Sequence, residues 1–254
     1  MKPADRLFGL VLFGTGICFL LGPEAAIAQA GKPGLGFDLA AKGPTQEFST
    51  ALKLLLALTL ISLIPALLVA VTSFTRIIIV LSMLRHALGM PETPPNMVLI
   101  GLALFLTLFA MLPVATAVNE KAVIPYLKDQ ISIQVACERG VAPLREFMVR
   151  NTRESDLGLM VDLAKGDPPK IIEDVKLAHL IPAFMLSELR TAFQIGFVIF
   201  LPFLLIDLVV ASVLMSMGML MVPPVVISLP IKILMFVLID GWSLVVRSLV
   251  ASFS

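Results

Sequence analysis

Four apolar stretches, at residues 51–88, 97–118, 181–217 and 225–250, dominate this 254-residue chain, and each holds an internal proline: Pro65, Pro113, Pro202 and Pro230. A helix needs about 20 apolar residues to cross the roughly 30 Å hydrocarbon core of a bilayer, so each stretch is long enough for a crossing. About a quarter of residues are charged in an ordinary soluble domain. Here 15% are charged, 58% are hydrophobic and the mean hydropathy is +0.99, which predicts an all-α integral membrane protein. Each proline removes a backbone donor and crowds the preceding turn, so all four helices are expected to kink or break. Irregular backbone is tolerated at membrane depth only where protein or a water-filled cavity satisfies it. Proline in four segments of four therefore points to helices packed against other protein.

Punctuation divides the chain. Residues 1–28 read as a secretory signal, with Lys2 and Arg6 before an apolar core from Leu7 to Leu21 and Ala26-Ile27-Ala28 as a small-residue cleavage site; the alternative is an uncleaved first span. A leader follows at 29–50, then the first two hydrophobic segments at 51–118, a polar helical insert at 119–179, and the last two segments at 180–254 with a methionine loop at 215–221. The crossing in 51–88 is expected near 52–71, with 72–88 continuing helically to the Gly89-Met90-Pro91 break. In the insert, Pro143 suits a helix first turn followed by Leu144, Phe147 and Met148 on one face. A second short helix is expected from Ser155, with Leu159, Met160 and Leu163 apolar, ending at Gly166-Asp167-Pro168-Pro169. A translocated N-terminus puts Arg85 and His86 on the cytoplasmic side, in agreement with the positive-inside rule, and makes the insert extracytoplasmic.

Charges stranded in the apolar segments need an explanation. Arg76 interrupts the first stretch, and Glu188, Arg190, Asp207, Lys232 and Asp240 lie in or beside the last two. A charge at a helix centre costs about 2.5–3.5 kcal/mol on insertion scales, so these groups are expected to be paired or to face water. Glu188 and Lys232, an acid and a base in consecutive segments, are expected to form a buried ion pair. His86 and His179 are the only histidines and are far apart; no catalytic triad, metal cluster or cofactor motif is legible, and no enzyme is expected. A net charge of +1 supplies no basic field for nucleic acid. The run Met215-Ser216-Met217-Gly218-Met219-Leu220-Met221 concentrates four of the thirteen methionines. Methionine repacks readily, so the run suits either ordinary gap filling or a soft apolar seal that opens and closes.

Several motifs in the last third are more specific. Ser187-Glu188-Leu189-Arg190-Thr191-Ala192-Phe193-Gln194-Ile195-Gly196-Phe197, the run from Leu205 to Met215, Gly218-Met219-Leu220-Met221-Val222-Pro223-Pro224 and Val237-Leu238-Ile239-Asp240-Gly241-Trp242 resemble the FliP family of flagellar export-gate proteins. Upstream, Ser73-Phe74-Thr75-Arg76 and Asn151-Thr152-Arg153-Glu154-Ser155-Asp156-Leu157-Gly158 carry the same resemblance, which covers about 52–253. It implies a channel subunit of the type III protein export gate in the bacterial inner membrane, within the flagellar basal body. Such a subunit assembles with other copies of itself and with FliQ and FliR into a helical oligomeric ring. Further partners implied are other export-apparatus membrane proteins, the basal-body ring, membrane lipid and unfolded protein substrates. Injectisome relatives share the core motifs, and the signal-bearing extension favours the flagellar branch. The resemblance places Met217, Met219 and Met221 in a gasket around the closed pore and Phe147 at an apolar ring or interface. Met160 stands where similar proteins carry an aromatic. Spacing of two also lets the three methionines share one face if their loop is extended.

Two other readings stay open. An ion-coupled small-solute transporter would use Glu188, Asp207 and Asp240 as relay groups, although no internal repeat accompanies them. A membrane chaperone without a pore would use the methionines as a client-binding surface.

Overall fold

The computed structural model describes residues 44–164, 175–219 and 221–253. The signal peptide, most of the leader and the Gly166–Pro169 helix stop lie outside the described residues. Among the described residues all regular structure is helical: α1 Pro44–Val71, α2 Phe74–Ala87, α3 Asn96–Val118, a π-helical turn Asn119–Val123, α4 Ile124–Leu127, α5 Ile133–Arg150, α6 Glu154–Leu163, α7 Leu177–Ser216, α8 Pro224–Leu238 and α9 Gly241–Ala251. Three helices are long and apolar enough to cross a membrane, at Leu52–Val71, Asn96–Leu127 and Leu177–Ser216; α8 and α9 make a fourth if that pair, bent by 65°, counts as one span.

The helix breaks are not where proline suggested. Pro65, Pro113, Pro202 and Pro230 all lie inside their helices and none ends one. The first stretch divides at Thr72-Ser73 instead, where the Thr72 hydroxyl accepts the Phe74 N–H at 3.4 Å. A side-chain acceptor two residues back offers that N–H an alternative to the helix ladder. The expected run-on helix through 72–88 is thus a separate helix, α2. In the second stretch no residue stops the helix at Val118: it widens into the π turn, absorbs the extra residue and continues to Leu127. The last stretch breaks at Asp240, whose backbone is left-handed at φ 51°, a conformation that Asp tolerates better than most residues. Pro143 lies within α5, well beyond its first turn. In α6 the expected apolar face is also revised: Leu159 and Leu163 are exposed while Asp156 and Val161 are buried.

The described chain divides into two compact units, one comprising residues up to Val69 with Pro113–Phe147, the other Ala70–Leu112 with Met148 onward. In the first unit the π turn packs on α4, and Asn119 and Lys121 lie in the turn that carries the helix towards Leu127. In the second, α7 is the spine. At 40 residues it is about 60 Å long, twice the roughly 30 Å hydrocarbon core, so a perpendicular crossing would leave about half of it outside that core. It packs on α2, α6 and α8, and α8 packs on α9. Leu180, Ala183, Phe184, Ala192, Gly196, Phe203, Val210 and Leu214 form its buried stripe. Helices α2 and α7 run parallel, because Arg76 meets Glu188 near one end and Met83 meets Gly196 further along both. Gly196 makes the approach possible: a Cβ there would lie 2.2 Å from Met83 Sδ.

Candidate functional site

Two features stand out in the second unit: a buried polar frame that ties α2 to the last three helices, and the methionine loop at the end of α7. The frame is centred on Arg76, which sits in the first turn of α2 and is 3% exposed. Its Nε donates to Glu188 Oε2 at 2.8 Å, and its Nη2 donates to Glu188 Oε1. The same Nη2 donates to Asn151 Oδ1 at 3.3 Å, while Nη1 donates to the Ser252 carbonyl at 2.9 Å and the Ser252 hydroxyl at 3.0 Å. A guanidinium has five N–H donors in a fixed fork, and this arrangement gives each an acceptor. The Phe253 ring lies under the guanidinium carbon at 4.0 Å from the centroid.

A second node docks α6 on α7. Ser187 donates to Asp156 Oδ2 at 2.7 Å and accepts the backbone N–H of Arg153 at 2.8 Å, just before α6 begins. The other Asp156 oxygen has Arg190 Nη1 at 3.0 Å, a charge contact without hydrogen-bond alignment. Arg153 in turn donates to Gln194 Oε1 at 2.5 Å. Ser187, Arg190, Thr191 and Gln194 recur at helical spacing, so one edge of α7 holds both Arg153 and Asp156.

The third node closes the other end of α2. Lys232 on α8 is buried and donates to Asp207 Oδ2 on α7 at 2.6 Å and to the Ala87 carbonyl at 3.3 Å. Ala87 ends α2, where carbonyls lack intrahelical partners and the helix dipole favours a cation. Ser228 completes the carboxylate by donating to Asp207 Oδ1 at 2.7 Å.

The expected Glu188–Lys232 pair is therefore corrected. Glu188 binds Arg76 and Lys232 binds Asp207, because the two acids sit 19 positions apart on α7, about 28 Å along its axis. Each base reaches the acid at its own level. Asp240 joins neither pair by any hydrogen bond in the frame; it forms the corner between α8 and α9. The sequence reading missed Asn151, Asp156, Ser187 and Ser252 as members of the frame. The first three lie in motifs already singled out, and a buried-charge search extended to those motifs would have reached them. Ser252 carries no sequence signal, since much of its part is played by a backbone carbonyl.

The loop after α7 is set by its helix end. Gly218 is left-handed at φ 73°, its N–H bonds the Met215 carbonyl at 3.1 Å, and the Met219 N–H bonds the Leu214 carbonyl at 3.0 Å. This is the two-bond Schellman stop, which favours glycine because a Cβ would clash at that φ. Met217 caps the helix and is 66% exposed, Met219 is 41% exposed and Met221 is 96% exposed. The loop turns at Met217 and Gly218 instead of running extended, so the alternate-face argument does not apply to these residues. Phe147 is buried and Met160 half-buried. Among the described residues no group of three or more His, Cys, Asp or Glu side chains is placed to hold a metal ion.

Comparison with known proteins agrees with the motifs that form this frame. The FliP family model matches residues 57–249, most of the chain. The chain belongs to the FliP family. Among its relatives, the flagellar biosynthetic protein FliP of Bacillus subtilis (strain 168) is 54% identical over 208 residues, covering 82% of this chain and 94% of the relative. The FliP of Pectobacterium carotovorum subsp. carotovorum is 56% identical over 208 residues, 82% of this chain and 81% of the relative. That of Cereibacter sphaeroides is 51% identical over 207 residues, 82% and 69% respectively. In this FliP-family chain the matched region contains Arg76, Glu188, Asp207 and Lys232, and ends short of Ser252.

Proposed function

We propose that this chain is a subunit of the flagellar protein export apparatus in the bacterial inner membrane, and that it lines the export channel. The observation that carries this reading is the pairing of a satisfied interior with an unsatisfied exterior. The buried charges are bonded within the chain, whereas Phe193, Phe197, Leu201, Leu205 and Leu208 of α7 and the three loop methionines are exposed. Apolar surface on this scale needs lipid or other protein to cover it. A ring of copies of this chain with FliQ and FliR, seated in the basal body, supplies both, and unfolded flagellar substrates would pass through its centre. The signal peptide and an extracytoplasmic insert at 119–179 orient the subunit, with the basal-body ring and other export proteins around it.

Met217, Met219 and Met221 act in this reading as the gasket of the closed pore. They are flexible, polarizable and held at the end of a rigid helix by the Gly218 stop, which suits a seal that opens around passing chains. Phe147 and Met160 contribute an apolar ring or interface. The subunit performs no bond chemistry; an ATPase or the proton-motive force supplies the energy through partners. A solute-transporter role for Glu188 is less well supported, since both its oxygens are engaged by Arg76 and it is fully buried.

Replacing all three methionines by alanine tests the gasket. The expected outcome is an assembled complex that leaks ions or small solutes across the inner membrane. Unchanged permeability in an assembled complex carrying the triple variant would refute the gasket and leave the family membership untouched.

A further inference from the structure

Helices α8 and α9 meet at a bend of 65°. The corner is Asp240, with φ 51° and ψ 53°, and it is flanked by Phe236 and Trp242, whose rings meet edge-on with centroids 5.4 Å apart. Straight, a helix over 224–251 would run about 42 Å, longer than a hydrocarbon core of roughly 30 Å. Its apolar pattern alone therefore permits one uninterrupted crossing, and something must hold α9 at the bend.

The far end of α9 is held by the polar frame. Ser252, the residue after the helix, presents both its carbonyl and its hydroxyl to Arg76 Nη1, at 2.9 and 3.0 Å. Phe253 lies against the guanidinium face at 4.0 Å, an attraction between cation and ring quadrupole. Leu249, one turn earlier, is fully buried. We infer that Ser252 and Phe253 form a clasp: Arg76, already anchored to Glu188, grips the turn after α9 and so holds α9 at its angle to α8. The same guanidinium thus ties the orientation of α9 to the α2–α7 pair, and a shift of Glu188 along α7 would be felt at α9. Residues at both ends of α9 set the bend, and the clasp ties α9 itself to Arg76.

The test uses the full chain in its membrane complex, with nitroxide labels at Val226→Cys on α8 and Ser248→Cys on α9, both exposed positions. Pulsed electron paramagnetic resonance reads their separation in a chain whose own Cys18 and Cys137 are replaced by serine, so that each doubly substituted chain carries two labels. From helix rise and the 65° bend, the axis points lie about 28 Å apart when bent and about 33 Å when straight. A chain ended after Ala251 is expected to shift the distribution outward towards the longer value, or to broaden it to include both. A second label pair at His86→Cys and Val209→Cys, exposed positions on α2 and α7, is expected to stay unchanged. An unaltered 226–248 distribution in the shortened chain overturns the clasp. If the shortened chain also disturbs the 86–209 pair, Phe253→Ala decides: a broadened 226–248 distribution with the 86–209 pair intact supports the clasp, and an unaltered one overturns it.

Discussion

Glu188→Ala removes the carboxylate that engages two of the Arg76 donors and leaves a guanidinium 3% exposed to solvent without its counter-charge. The bonds to Ser252 and Asn151 remain, so Arg76 stays pinned in the interior instead of escaping to water. Breaking a buried pair by removing one partner costs about 3–5 kcal/mol, which lowers the folded-to-unfolded ratio by roughly two to three and a half powers of ten. Glu188→Gln, which keeps an acceptor but not the charge, is expected to lose less. Replacing Arg76 and Glu188 together by methionine is expected to recover much of the loss, since a well-packed apolar substitute for a buried ion pair is often neutral. The assay is unfolding of the detergent-solubilised protein by added denaturing surfactant, followed by far-ultraviolet circular dichroism. A pair of double-mutant cycles sharpens it: Glu188 should couple strongly to Arg76 and be additive with Lys232 within about 0.5 kcal/mol, as separate sites are. A loss below about 1 kcal/mol, the range of an exposed pair, would refute the view that this pair braces α2 on α7. A larger coupling to Lys232 than to Arg76 would refute the assignment of partners.

Gly196→Ala places a Cβ against Met83 and is expected to destabilise the α2–α7 contact by about 1–3 kcal/mol; thermal unfolding should show the loss, with recovery in the Gly196→Ala, Met83→Ala double variant. Gly218→Ala forces a Cβ into a left-handed position at a cost of about 1–2 kcal/mol. Gly218→Asn should cost less, and channel leakage should follow the same order if the stop positions the methionines.

Helix positions in the last third were broadly legible because their causes are local. Hydrophobic length located α7 and α8, and Gly218 followed by Pro223 and Pro224 marked the loop between them. Proline did not mark the helix ends: inside a long apolar helix the surrounding ladder carries it, whereas the first stretch divides at Thr72-Ser73, where the Thr72 hydroxyl accepts the Phe74 N–H. The charged positions were also legible as stranded, and their number demanded pairing. Their partners were not, because acid and base were matched by neighbouring segments without regard to depth along the helix.

Composition and apolar length by themselves determined that this chain is helical, with segments long and apolar enough to cross a membrane, since transfer of side chains out of water depends on what they are more than on where they lie. The motif residues determined its family. Only the tertiary structure decided that α2 runs parallel to α7, that Arg76 and Lys232 divide Glu188 and Asp207 between them, and that Ser252 enters the frame through its backbone. Hydrogen bonds act over about 3 Å and depend on direction, so which donor meets which acceptor is set by helix register in space, a quantity that spacing along the chain does not contain.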